Sequence, residues 1–233
     1  MTGTGSVRET PHEIALLSGG PRAAVTVAVV ALHLRGAVEA GVPGTIRAAE
    51  GEAGRGLPAL PPPGVSLDAP ADCVGGQATA VTGVMRASYL ESAVYHCLDE
   101  PREMGELVRH ADVRWALAEV RVGLAEAGLL RYPLLGPTRA ARRRLKLLRS
   151  AYPSPTSRRG VPDQDKLIAV ALHGEPALRV LVPRFAFRAG LTDRVKITDK
   201  DFFRGSPSGG TYGGSGGYLY CGSGGGGGGG GGE

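Results

Sequence analysis

The glycines of this chain are gathered at one end. Of 38 in all, 17 fall in the 29 positions from Gly205 to Glu233, which close on the uninterrupted run Gly224 to Gly232. Such a run has no side chains to bury and the most backbone entropy to lose on ordering. Residues 205–233 are therefore expected to form a disordered, flexible extension, with Tyr212, Tyr218 and Tyr220 available for weak self-association. What folds must come from the first 204 residues. That length supports an ordinary domain whose core needs no disulfide or metal staple.

Punctuation along those residues is that of a mainly α protein. Thr10-Pro11-His12-Glu13 carries a cap, a proline suited to the first helical position and a glutamate placed to complete a capping box. A short helix to about Leu17 is expected, ended by Gly19-Gly20. Pro21 then restarts a longer helix through Leu34, with Val25, Ala28, Val29 and Leu32 on one face and Gly36 as its stop. Gly41-Val42-Pro43-Gly44 next separates two short segments that can pair as a hairpin. Helix, turn, helix, hairpin is a winged-helix-like order. The run from Glu50 to Gly64 is too rich in Gly and Pro for a helix or ladder and reads as an extended connector, and Val65 to Arg86, which has no clear period, reads as loop or insertion.

Helical signals resume at Ser88, which with Glu91 offers a second capping box and places Leu90, Val94, Cys97 and Leu98 inward, up to Asp99-Glu100-Pro101. A short helix over Glu103 to Arg109 and a stronger one over Val113 to Ala127 follow, the latter with Val113, Leu117, Val120, Leu124 and Ala127 at helical spacing and Gly128 at its end. Leu129-Leu130-Arg131 reads as a brief strand, repeating the pattern of helix, glycine and extended segment at Gly36. Thr138 to Ala151 forms the next helix, with Ala141, Leu145, Leu148 and Tyr152 as its apolar stripe. Asp163 can cap a helix that Gly174 ends, Pro176 can open another through Val182, and Arg184 to Arg204 continues as mixed helix or loop. The expected organisation is a flexible segment 1–9, a helix-helix-hairpin unit 10–50, a Pro/Gly-rich linker and insertion 51–87, a helical body 88–204 and the glycine-rich tail. The fold class is mainly α: a helical bundle with one or two short hairpins.

Several function classes find no support. Cys73, Cys97 and Cys221 form no CxxC pair and no Cys/His run with metal-ligand spacing, so no disulfide framework, metal or cofactor is expected and a reducing compartment fits. His12, His33, His96, His110 and His173 show no HExxH or HxH spacing, and there is no GxSxG elbow, phosphate-binding GxxxxGK[ST] or dinucleotide fingerprint. Asp199-Lys200-Asp201 reads as a solvated charge run and Trp115 as a core anchor. The N-terminal residues lack a secretory pattern, and the apolar stretch Ala23 to Leu34 is shorter than the roughly 20 residues that span a bilayer, so no transmembrane helix is expected. The expected location is the cytoplasm, with peripheral contact to the inner face of the membrane.

The stretch from Ala127 to Pro162 stands apart: Arg131, Arg139, Arg142, Arg143, Arg144, Lys146, Arg149, Arg158 and Arg159 lie in it without one Asp or Glu. The chain's net charge is +5, and because Glu233 is the only charged side chain after Arg204, the foldable part carries +6. On the Thr138 helix, Arg139, Arg142, Arg143, Lys146 and Arg149 cluster opposite the leucine stripe, where they can face a planar anionic surface. The alternative is a solvated helix face paired to acids such as Glu119 or Glu126. Nucleic acid is a second anionic partner, but the apolar helix before the first hairpin leaves little beyond Arg22, Arg35 and Arg47 for phosphate.

The segment EIALLSGGPRAAVTVAVVALHLRGAV, Glu13 to Val38, resembles the hallmark of an actinobacterial family of uncharacterised proteins often labelled membrane proteins. The likeness continues through Leu57 to Pro63, Glu106 to Leu130 and the tail, which in that family is rich in Gly and Cys; here it holds one cysteine, Cys221, and the chain lacks the hydrophobic spans behind the membrane label. That family implies no particular activity. In order and texture, Val30 to Gly36, Val120 to Leu130 and Pro162 to Val182 are also similar to the Golgi phosphoprotein three family. This second likeness implies amphipathic helices around a central bundle and binding to a phosphoinositide-bearing or other anionic membrane surface, although no positions here match that family's headgroup-binding residues. The sequence thus leads to a non-enzymatic binding or scaffold protein that touches an anionic membrane surface or an acidic protein through Arg139, Arg142, Arg143, Lys146 and Arg149. A nucleic-acid-binding protein and an enzyme of unrecognised type are the alternatives.

Overall fold

Helix α1 (Pro11–Leu34) forms the centre of the molecule in the computed structural model, which describes residues 9–60, 77–131 and 136–192. Its start follows the sequence signal: the Glu13 amide donates to Thr10 Oγ1 at 3.3 Å and the Thr10 amide donates to the Glu13 carboxylate at 2.7 Å. That reciprocal pair satisfies two of the orphan donors of a helix N-terminus and is worth about 1 kcal/mol. At Gly20 the backbone leaves helical geometry, with φ 76 and ψ −164, and Pro21 re-enters it, so α1 is two helical segments joined at a kink. The second segment is buried on nearly every side, since Ala24, Val25 and Val27 through Leu32 are all core residues. A segment apolar all round must sit inside a bundle. By length and composition α1 could also cross a membrane; here 61% of its most apolar window is enclosed by the other helices. The segment that a winged-helix order would offer to a nucleic-acid groove is thereby the interior of the fold.

Gly36, with φ 78, ends α1 and turns the chain into β1 (Val38–Ala40), which pairs antiparallel with β2 (Thr45–Ala48) in the register Val38↔Ala48, Glu39↔Arg47 and Ala40↔Ile46. The expected hairpin therefore forms around Gly41 to Gly44. A third strand, β3 (Arg102–Glu103), joins β2 from much later in the chain. The connector contains one 3₁₀ turn, Glu52–Gly54, where a side chain on Gly54 would collide with the ring of Tyr95.

Helix α2 (Gln77–His96) corrects the sequence expectation. Residues 77–86, read as loop or insertion, are helical, and Ser88 lies inside the helix with its hydroxyl donating to the Val84 carbonyl at 3.0 Å rather than capping. Tertiary contact overrides weak local pattern here. Gly83, a poor helix former, sits where a Cβ would meet the Glu13 carboxylate at 3.2 Å. Arg86 is buried, with its guanidinium on Glu126 at 2.9 Å, and it crosses the helix α4 (Ala111–Glu126) at Gly123, where any side chain would displace it. Leu90, Val94, Cys97 and Leu98 do point inward.

The remaining elements follow the expected order. Helix α3 (Met104–Arg109) leads into α4, whose Val113, Leu117, Val120 and Leu124 are buried while Ala127, beyond its end, is exposed. Gly128, with φ 68, closes it and opens β4 (Leu130–Arg131), which pairs with β5 (Gly136–Pro137). Helix α5 (Arg139–Ala151) buries Ala141, Leu145 and Leu148. Helix α6 (Asp163–His173) has Asp163 as its first residue rather than its cap; there the carboxylate pairs with Lys166 at 2.8 Å. Helices α7 (Glu175–Leu181) and α8 (Pro183–Arg188) complete the body. The 10–50 unit and the later helices share one hydrophobic core, with α1 against α6, α2 and α4. Residues 1–8 of the segment 1–9 expected to be flexible, residues 61–76 of the linker and insertion, residues 193–204 of the stretch expected as mixed helix or loop, Cys73, Cys221, Asp199-Lys200-Asp201 and the glycine-rich tail lie outside the described residues.

Candidate functional site

Helix α5 begins where Thr138 joins three things together. Its hydroxyl accepts from the Ala141 amide at 3.2 Å and donates to the Gly128 carbonyl at 3.1 Å, and its amide donates to the Leu129 carbonyl at 3.0 Å. The helix is thus registered on the end of α4, and its buried stripe of Ala141, Leu145 and Leu148 sets the opposite face outward. Arg139, Arg142, Arg143, Lys146 and Arg149 are all exposed, and none forms an ion pair among the described residues. The fourth arginine of the run behaves differently: Arg144 turns inward and pairs with Glu9 at 3.2 Å. Glu126, one acid weighed as a partner for the stripe, is taken by Arg86. The five expected residues therefore do share one free cationic face. Leu147 lies beside them at 63% exposure, an apolar side chain that the sequence reading did not single out.

A second constellation was hidden by sequence distance. Cys97, just past the end of α2, places Sγ 2.9 Å from Nδ1 of His110, the residue between α3 and α4, and Asp112 Oδ2 lies 3.7 Å from the same nitrogen. Burial, reinforced by the Asp112 carboxylate, pushes the Cys97 thiol up to about 11 from an ordinary 9. The thiol thus holds its proton. It is not an activated nucleophile, and a carboxylate beside the nitrogen that meets the sulfur does not orient the ring through its other nitrogen. What the three side chains do share is a donor set for a metal ion, which the 13-residue spacing through α3 concealed.

The other flagged residues have structural partners. His33 stacks on Phe185 with ring centroids 3.7 Å apart and shares Nδ1 with the Val38 carbonyl at 3.1 Å, and His173 Nε2 meets the Tyr152 carbonyl at 2.8 Å. His12 is buried beside Glu91. Trp115 is only half-buried; edge-on to Tyr89, it lines a concavity of about 800 Å³ with Arg109, Arg114 and Arg121. No protein-family model, curated protein or solved structure matches this chain.

Proposed function

We propose that the protein is a binding or scaffold module that docks peripherally on an anionic membrane surface, at the cytoplasmic leaflet, through the outer face of α5. The observation that carries this reading is the set of five exposed, acid-free cations on three turns of one helix, with exposed Leu147 at their edge. Cations of that kind near an anionic leaflet contribute about 1 kcal/mol each, and an apolar neighbour adds burial in the headgroup region. An acidic protein would satisfy the charges but would give an exposed leucine on the rim no comparable role.

Co-sedimentation of the full chain with vesicles of neutral lipid, and of neutral lipid doped with phosphatidylserine, tests it, beside a duplex-DNA gel shift at matched salt. Binding is expected to the anionic vesicles only and is expected to disappear when Arg142, Arg143 and Lys146 are changed together to Glu. Equal binding to both vesicles, binding to DNA but not to lipid, or binding that survives the triple change would overturn the reading.

A further inference from the structure

We propose that Cys97, His110 and Asp112 form a binding site for a single borderline transition-metal ion of the zinc type, with one coordination position left open to solvent. The three donor atoms all lie within 4.8 Å of one another. Around a tetrahedral zinc, with bonds of about 2.0 to 2.3 Å, donor atoms stand about 3.3 to 3.6 Å apart. The nitrogen–oxygen separation of 3.7 Å already suits that geometry, and the sulfur–nitrogen separation of 2.9 Å needs to open by roughly half an ångström. Small side-chain rotations supply such a shift, because the backbones that carry the donors are held. The Cys97 carbonyl accepts from Arg102 Nε at 2.7 Å, and the His110 amide donates into the last turn of α3, to Glu106 at 3.0 Å.

Access and charge favour a cation. Cys97 sits at the floor of the cluster, while the His110 and Asp112 side chains are 33% and 54% exposed, so an ion can enter from solvent and keep a water as fourth ligand. Around the thiol, the carboxylates of Asp112 and Asp99 outnumber the guanidinium of Arg102. Thiolate, imidazole and carboxylate together suit zinc or cobalt far better than magnesium or calcium, which take oxygen ligands. Binding forms the metal–sulfur bond as the thiol proton leaves to solvent; no electron is transferred. The ion would tie the end of α2 to the start of α4.

Titration of the chelator-treated full chain with Co²⁺ reads the site directly. The expected result is a thiolate-to-cobalt charge-transfer absorption saturating at one equivalent, accompanied by intense tetrahedral visible bands and removed by Zn²⁺. Cys97→Ser should abolish the charge-transfer absorption, Asp112→Asn should weaken binding at least tenfold, and the double variant Cys73→Ser/Cys221→Ser should leave the spectrum unchanged. Circular dichroism checks the fold of each, and Asp112→Asn, at an exposed position, provides a test if Cys97→Ser does not fold. A weak octahedral spectrum, absorption that persists in Cys97→Ser, or absorption lost in the Cys73/Cys221 double would overturn the proposal.

Discussion

Cys97 shows how far a residue's chemistry is set by its neighbours. With its thiol raised to about 11 by burial and then by Asp112, the folded state holds this proton more tightly than the unfolded chain does. The contribution to stability is complete below pH 9 and declines as pH rises from 9 through 11. Reactivity should follow the same window. In the presence of a chelator, alkylation of the Cys97 peptide in the folded protein should still be accelerating at pH 10, whereas in denaturant it should level off above about pH 9. Near pH 8 the thiolate fraction should be roughly a hundredfold lower in the fold than in the denatured chain. Mass-spectrometric rates per peptide measure this, and a folded midpoint at or below the denatured one would refute the assignment. Glycines are equally specific at this scale: Gly54 is required by the Tyr95 ring, and Gly190, with φ 67, by a backbone conformation that L side chains rarely adopt and by the Gly44 backbone, which an added Cβ would meet at 3.1 Å.

At the scale of elements, α1 and α2 are joined by a buried carboxylate. Glu91, 3% exposed, accepts a hydrogen bond from Arg35 Nη2 at 2.9 Å, forms an ion pair with Arg35 Nη1 at 2.6 Å and lies 3.3 Å from His12 Nε2. Removing one partner of a buried pair costs about 3 to 5 kcal/mol, while replacing both with apolar groups is often neutral. Because the Arg35 side chain is 52% exposed, the lower end applies. Arg35→Met should therefore destabilise by about 3 kcal/mol in urea titration, and adding Glu91→Leu should recover more than half of it; additive losses would show that the pair does not anchor α2. The same helix marks what sequence reading reaches. Thr10 with Glu13, the Gly20-Pro21 break, the Gly41–Gly44 turn and Thr138 are local signals, readable because the interactions they report span a few residues. Residues 77–86 were not readable, since their helix rests on Arg86 reaching Glu126 and on Gly83 and Gly123 giving space to side chains far away in sequence. Nor were β3 and the Cys97–His110–Asp112 cluster, which exist only once α2, α3 and α4 have packed. The cations of α5 were readable because helical periodicity alone puts them on one face, and the same periodicity leaves Leu147 off the buried stripe of Ala141, Leu145 and Leu148.

For the whole molecule the question is whether net charge or its placement directs association. A body of +6 attracts any polyanion weakly, and salt removes that attraction: the screening length falls from about 10 Å at 0.1 M to 3 Å at 1 M. Five clustered cations at about 1 kcal/mol each could together supply roughly 5 kcal/mol, or several thousandfold in partitioning, if they act at one surface. Two triple reversals with identical charge change separate the cases. Arg142, Arg143 and Lys146 to Glu alters the α5 face; Arg109, Arg114 and Arg121 to Glu alters the concavity around Trp115. If placement directs binding, the first should abolish sedimentation with anionic vesicles at 0.1 M salt and the second should weaken it no more than tenfold. Leu147→Asn, at constant charge, should weaken it severalfold and leave the melting temperature unchanged, because that side chain is exposed in the free protein. Equal loss from both triple variants would assign the attraction to net charge, and α5 would then be an ordinary solvated helix.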